Sequence, residues 1–228
     1  MFIGGFYGYY LIGIVAFIAS LAIQGWLKNT YGTWMKRANA AGLSGAEVAR
    51  AILQANGIGD VRVEAVQGQL TDHYDPSKKV VRLSADNFRS ASVAGMAVAA
   101  HETGHAIQHA RAFAPLSWRT AILPAANIGS QFGPMLAFFG LLLGVAGKPL
   151  LTVGIVLFAA AVVFHLVTLP VEFDASRRAL GQLQRLGLVT AQDQGGARKV
   201  LTAAAMTYVA AAATSIAYLL YFLGAARR

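Results

Sequence analysis

Long uncharged apolar stretches alternate with polar ones along this chain, and that alternation sets the first expectations. Four stretches are long enough to cross a bilayer as helices, which takes about 20 residues. The first runs from Phe2 to Leu27, the second lies between Arg119 and Lys148, the third runs from Pro149 to Pro170, and the fourth from about Leu201 to Leu223. The first has neither a basic leading region nor a small-x-small cleavage site, so it reads as an anchor. Pro124, Asn127, Gln131 and Pro134 predict an irregular or kinked start to the second.

The polar segments carry a different pattern. Ser44-Gly45-Ala46-Glu47 is a capping box that opens a helix through about Ala55, stopped by Asn56-Gly57 and burying Val48, Ile52 and Leu53. Val61–Val66 alternates like a strand, and Lys79–Leu83 does so more weakly, predicting a small antiparallel β-unit. Thr71–Pro76 between them is rich in turn residues. Ser90 to about Ala110 reads as an interior helix stopped by Pro115. The third crossing continues past Pro170 into an amphipathic helix from Val171 to about Leu186, ended by Gly187. Gln192–Arg198 reads as a polar loop. The expected organisation is therefore a transmembrane helix at 1–27, an α+β region at 28–118, transmembrane helices at 119–147 and 149–170, a helix-bearing segment at 171–200 and a last transmembrane helix at 201–224. The fold class is mainly α: a polytopic membrane protein with about four transmembrane helices and a small α+β domain.

Composition agrees, with 56% hydrophobic and 13% charged residues. The absence of cysteine excludes disulfides and thiolate zinc sites. Of 19 Lys and Arg, eleven fall between the first two crossings and five between the last two. Lys148, Arg227 and Arg228 lie on the other side, and all ten acidic residues share the majority side. Such a bias marks the cytoplasmic face and not affinity for nucleic acid. The expected topology has both termini outside and the 28–118 region in the cytoplasm.

His101-Glu102-Thr103-Gly104-His105 carries the chemistry. Residues four apart share a helical face, so two imidazoles can hold one metal ion while Glu102 stands beside it. Zinc hydrolases need two nitrogen ligands, an open position for water and a carboxylate that takes the water's proton. One protein ligand is missing, and His109, His165, Glu172 and Asp174 are the candidates. Three ligands at successive i+4 steps strain to meet one ion, which weighs against His109, and His165 within an apolar stretch reads first as a core histidine. Glu172, an ionisable group just past a membrane stretch, is costly without a partner, and zinc would supply one. As second donor to the developing oxyanion, His73 and Tyr74 are candidates; the plainer reading makes His73 and Asp72 turn residues bonding their own backbone. Asp174 either orients a ligand histidine or is a charge favoured at a helix start. The strand Lys79–Leu83 offers its main chain to an extended substrate.

His101–His105 followed much later by Glu172-Phe173-Asp174-Ala175 resembles the gluzincin arrangement. Leu70–Pro76, Val81–Ser84, Ala99–Glu102, Pro124–Gly129 and Leu169–Ala175 together resemble the neutral zinc metallopeptidase family of bacterial integral membrane proteins (YugP-like). More distantly the pattern is similar to the CAAX-processing and heat-shock HtpX-type membrane proteases. Those carry Glu-x-x-x-Asp, whereas here Asp174 comes two residues after Glu172 and Ser176 takes the fourth position. The resemblance implies a zincin-like cytoplasmic domain and a Zn2+ ion on His101, His105 and Glu172, with Glu102 as the base. It also implies a multi-pass protein of the bacterial plasma membrane acting on protein or peptide substrates, membrane-associated given the place of Glu172. Two alternatives stand beside it. In one, a non-catalytic membrane protein uses zinc to tie segments together, although a purely structural site would close with four protein ligands and give Glu102 no role. In the other, Asn127, Gln131 and His165 form a transport path, against which no stretch holds a charged residue.

Overall fold

The computed structural model describes residues 3–227. Phe2, the expected start of the first crossing, and Arg228, one of the three minority-side basic residues, lie outside the described residues. The chain is mainly helical (77%) with one small sheet. It divides into two units, one of Met1–Ile23, Ser117–Leu169 and Thr207–Arg228, the other of Gln24–Leu116 and Pro170–Met206.

The first unit is built from parts of four helices: α1 (Ile3–Met35), α5 (Ala114–Leu142), α6 (Lys148–Arg185) and α7 (Ala191–Ala226). Its packing uses glycine where backbones nearly touch. A Cβ at Gly129 would stand 2.1 Å from the Leu157 carbonyl, one at Gly133 2.7 Å from the Phe158 nitrogen, and one at Gly154 2.3 Å from the Ala137 nitrogen. Close approach over small residues is also the way helices pack in lipid, where contact and not water drives association. Tyr7, Leu11, Ile14, Val15 and Ile18 of α1 are exposed, as are Ile128, Phe132 and Phe139 of α5. Among the described residues, three segments are long and apolar enough to cross a membrane: Tyr7–Met35, Gly144–Arg185 and Ala191–Ala226. Helix α5 is not among them; it runs unbroken through Pro124 and Pro134, and its Asn127 and Gln131 lower its apolar character.

The second unit holds α2 (Gly45–Ala55), β1 (Arg62–Val66), β2 (His73–Asp75), β3 (Val80–Ser84), a short helix α3 (Ala85–Arg89) and α4 (Val93–Ala110). Ser44 caps α2 through the reciprocal pair with Glu47, and Val48, Ile52 and Leu53 are buried, as their spacing predicts. Helix α4 starts at Val93, capped by the Ser92 hydroxyl accepting from the Gly95 amide at 3.0 Å. It is buried on nearly every face because Ala and Gly leave room for neighbours on all sides. The core joins α2, β3, α4 and the polar ends of α6 and α7, including Met96, Ile107, Leu183 and Leu201.

Three expectations need correction. The sheet is mixed: β1 pairs parallel with β3, while β2, a third strand inside the turn-rich segment, pairs antiparallel with β3, giving the order β1-β3-β2. The connector after β1 is long enough to cross the sheet, and Asp75 then folds the chain back by accepting from the Ser77 and Lys78 amides. Strand β3, flanked on both edges, has no main chain left to pair with a substrate. Finally, Gln192–Arg198 is the opening of α7, because Thr190 and Asp193 cap each other at 3.2 and 3.3 Å.

Candidate metal centre

All the residues of the centre belong to the second unit. His101 and His105 stand one turn apart on α4, their rings 4.8 Å apart and nearly perpendicular. Glu172 lies within α6, which continues unbroken past Pro170. One carboxylate oxygen, Oε2, is 3.2 Å from His101 Nε2 and 3.7 Å from His105 Nε2. A ligand atom from each of the three lies within 4.8 Å of the others. Donors held tetrahedrally at about 2.0–2.1 Å from a zinc ion stand about 3.3 Å apart, so the two measured separations fit the edges of such a tetrahedron. Glu172 is 2% exposed and His105 8%.

The close approach of the two helices has a local cause. A Cβ at Gly104 would stand 2.6 Å from the Ala175 carbonyl oxygen, so only glycine lets α6 come this near to α4. Ala175 follows Glu172 by three residues, close to one helical turn, and the contact therefore sets the depth of the Glu172 carboxylate.

The far nitrogen of each imidazole is also engaged. His101 Nδ1 is 3.1 Å from the Ser176 hydroxyl, and His105 Nδ1 is 3.0 Å from Gln108 Oε1. Gln108, fully buried, donates from Nε2 to the Val171 carbonyl at 2.8 Å and to Asp174 Oδ2 at 2.9 Å. Asp174 also accepts from Arg177 and, at 2.5 Å, from Arg178 Nε. It thus reaches His105 through Gln108. Since α6 begins at Lys148, a helix-start role for Asp174 is excluded.

Glu102, beside His101 on the buried helix, is 8% exposed. Burial pushes its carboxyl above the ordinary value; the nearby His101 and His105 pull it down, and Glu172 and Asp72 push it up. Burial alone would lower His105, but the Glu172 hydrogen bond and the Glu102 charge outweigh it and hold the imidazole above its ordinary value.

The other candidates make contacts elsewhere. His73 Nδ1 lies 2.8 Å from the Thr71 carbonyl, and Arg82 donates to its Nε2 at 3.2 Å. Asp72 accepts from the Ser84 amide and from Asn87. Tyr74 pairs its hydroxyl with His109 Nδ1 at 2.8 Å, which occupies His109 as well. His165 belongs to the first unit, its ring 5.9 Å from that of Phe164. Gln108 was not among the sequence candidates, although its place three residues after His105 puts it on the same helical face.

Residues 9–227 match the model of a family described as "Putative neutral zinc metallopeptidase". The chain belongs to that family. A protein of Bacillus subtilis (strain 168) named "Putative membrane protease YugP" is 45% identical over 210 residues, covering 90% of this chain and 92% of the relative. No solved structure matches the chain. For a member of the zinc metallopeptidase family the implied metal is zinc, and two imidazole nitrogens with one carboxylate oxygen are a donor set that suits it.

Proposed function

We propose that this protein is a membrane-embedded zinc endopeptidase of the gluzincin type, with His101, His105 and Glu172 as metal ligands. The observation that carries the reading is the approach of Glu172 Oε2 to both Nε2 atoms, at 3.2 and 3.7 Å, from a helix distant in sequence. Three protein donors leave a position open, which distinguishes a catalytic site from a closed structural one. Bound zinc would supply Lewis acidity, polarising the scissile carbonyl and acidifying water. Glu102 takes the proton of the attacking water and delivers it to the departing amine. Its burial, which raises its affinity for the proton, suits a group that must first accept and then donate. The name of the relative, "Putative membrane protease", supports a protease, and the place of Glu172 just past the apolar stretch of α6 favours membrane or membrane-associated proteins as its substrates.

Topology follows from the same three ligands. His105 and Glu172 meet, so the chain between them crosses the bilayer an even number of times. With α6 as one crossing, α5 is the other. Helix α5 has 29 residues, about 43 Å at 1.5 Å per residue, and its glycine face and exposed apolar side chains suit that position. In this reading the protein has four crossings, and the basic majority on the side of the metal centre favours a cytoplasmic centre with both termini outside.

The test is a protease assay with metal analysis on the purified full chain. Glu102→Gln is expected to keep zinc and lose cleavage by two to four orders of magnitude, on the order expected for a lost general base; Glu172→Ala is expected to lose zinc. Cleavage by Glu102→Gln would refute the mechanism, and zinc without any cleavage by the wild type would favour a structural metal. A reporter fused after Arg228 is expected outside; a cytoplasmic reporter would overturn the topology.

A further inference from the structure

Gln108 is 0% exposed, and a buried amide costs stability unless all its polar atoms are paired. Its pairing also settles which way round the amide lies. The Val171 carbonyl and the Asp174 carboxylate accept hydrogen bonds and cannot donate them, and both lie on the same amide nitrogen at 2.8 and 2.9 Å. Arg177 and Arg178 keep Asp174 an acceptor, since both donate to it. The amide oxygen must therefore face His105, 3.0 Å from Nδ1. An oxygen there can only accept, so Nδ1 carries a proton and donates it; in the neutral ring the lone pair that could bind a metal is then on Nε2, the nitrogen that Glu172 Oε2 approaches.

We propose that Gln108 is a positioning residue that fixes the ring and tautomer of His105, its own amide oriented by Val171 and Asp174 on the helix that carries Glu172. The inference deepens the zinc reading and rests on it. One side chain of α4 thereby senses that α6 is docked: the two α6 acceptors that orient Gln108 lie one residue before and two after the third ligand. Ser176 serves His101 differently, since a hydroxyl can donate or accept and imposes no tautomer. The two imidazoles are thus held unequally, His105 rigidly and His101 permissively.

The test is zinc affinity, measured on the purified full chain in detergent by competition with a chromophoric chelator. Gln108→Met keeps the volume and drops both polar ends; Gln108→Glu keeps an acceptor for His105 but sets a carboxylate oxygen against both the Val171 carbonyl and Asp174. Each is expected to weaken zinc binding about tenfold or more, the usual effect of losing a group that holds a ligand. The double variant Gln108→Glu with Asp174→Asn exchanges donor and acceptor across the Asp174 hydrogen bond, leaves the Val171 contact unrelieved, and should recover the part of the affinity that the clash with Asp174 costs. Affinity unchanged in Gln108→Met, or losses in the double variant that simply add, would overturn the inference and leave the zinc site standing. A wild type that binds no zinc would overturn both. Should Gln108→Met fail to fold, the comparison of Gln108→Glu with the double variant decides the matter by itself.

Discussion

Gly104→Ala should perturb the proposed metal centre without touching His101, His105 or Glu172. The added methyl would lie 2.6 Å from the Ala175 carbonyl oxygen, where ordinary contact begins at 3.4 Å. Neither atom is the flexible end of a side chain, so the helices must separate, by about 0.8 Å if the whole shortfall is relieved there. Glu172 lies within one turn of Ala175 on the same helix and moves by a similar amount. Metal–ligand distances hold to about ±0.2 Å, so the carboxylate would leave bonding range of an ion seated on the two imidazoles. We expect zinc affinity to fall at least about tenfold. Thermal stability is the weaker readout: overpacking costs about 1–3 kcal/mol, while alanine returns about 1 kcal/mol of helix propensity. The control is Gly181→Ala on α6, where a Cβ meets nothing within 4 Å; it should keep wild-type affinity and melt no lower. Wild-type zinc affinity in Gly104→Ala, by chelator competition, would refute the claim that this contact sets the depth of Glu172.

Two further predictions concern the second unit. Ser44→Ala removes the hydroxyl that accepts from the Glu47 amide and is expected to cost about 1 kcal/mol, read as a lowered melting temperature with zinc affinity unchanged. Asp75 is held below its ordinary value of 3.8 chiefly by the Ser77 hydroxyl, with the Lys78 and Ser77 amides and Arg82 also acting. A carboxylate with a depressed folded-state value contributes stability that is complete above its unfolded value and fades as pH falls through the lower folded one. Acid should therefore destabilise the protein progressively below about pH 4 through this group. Asp75→Asn should flatten that part of the stability curve, and an unaltered slope in melts taken across that range would count against the assignment.

What the sequence disclosed is what a single turn or helix can encode. The capping box at Ser44, the helical face shared by His101 and His105, and the apolar stripe of α2 are local patterns, and each appears where its spacing predicts. That Glu172 has buried partners was legible for a different reason, the cost of an ionisable group beside an apolar stretch. Strand direction was not legible. Alternation identifies β1 and β3 but is the same for parallel and antiparallel pairing, and β2 has three residues, too few for a period. The opening of α7 was masked by its polar and glycine residues. Gly196 lies under the Trp34 ring, where a Cβ would be 2.4 Å from the nearest ring atom; its presence reflects a tertiary contact and not a loop.

The two unspecified positions of the pentapeptide His101–His105 show where local reading ends. Thr103 satisfies its hydroxyl on its own helix, donating to the Ala100 carbonyl at 2.8 Å. Gly104 has no side chain to satisfy, and its identity is dictated by Ala175 on another helix. Gln108 repeats the lesson one turn further on, since an amide three residues after a ligand is as common on a solvated face as in a buried one until its partners are known. The two histidines are thus readable from α4 alone, while Glu172 and the residues that bring it to them are intelligible only with α6 in place. A variant that disturbs the packing of α6 against α4 should therefore weaken zinc binding even when His101, His105 and Glu172 are all intact.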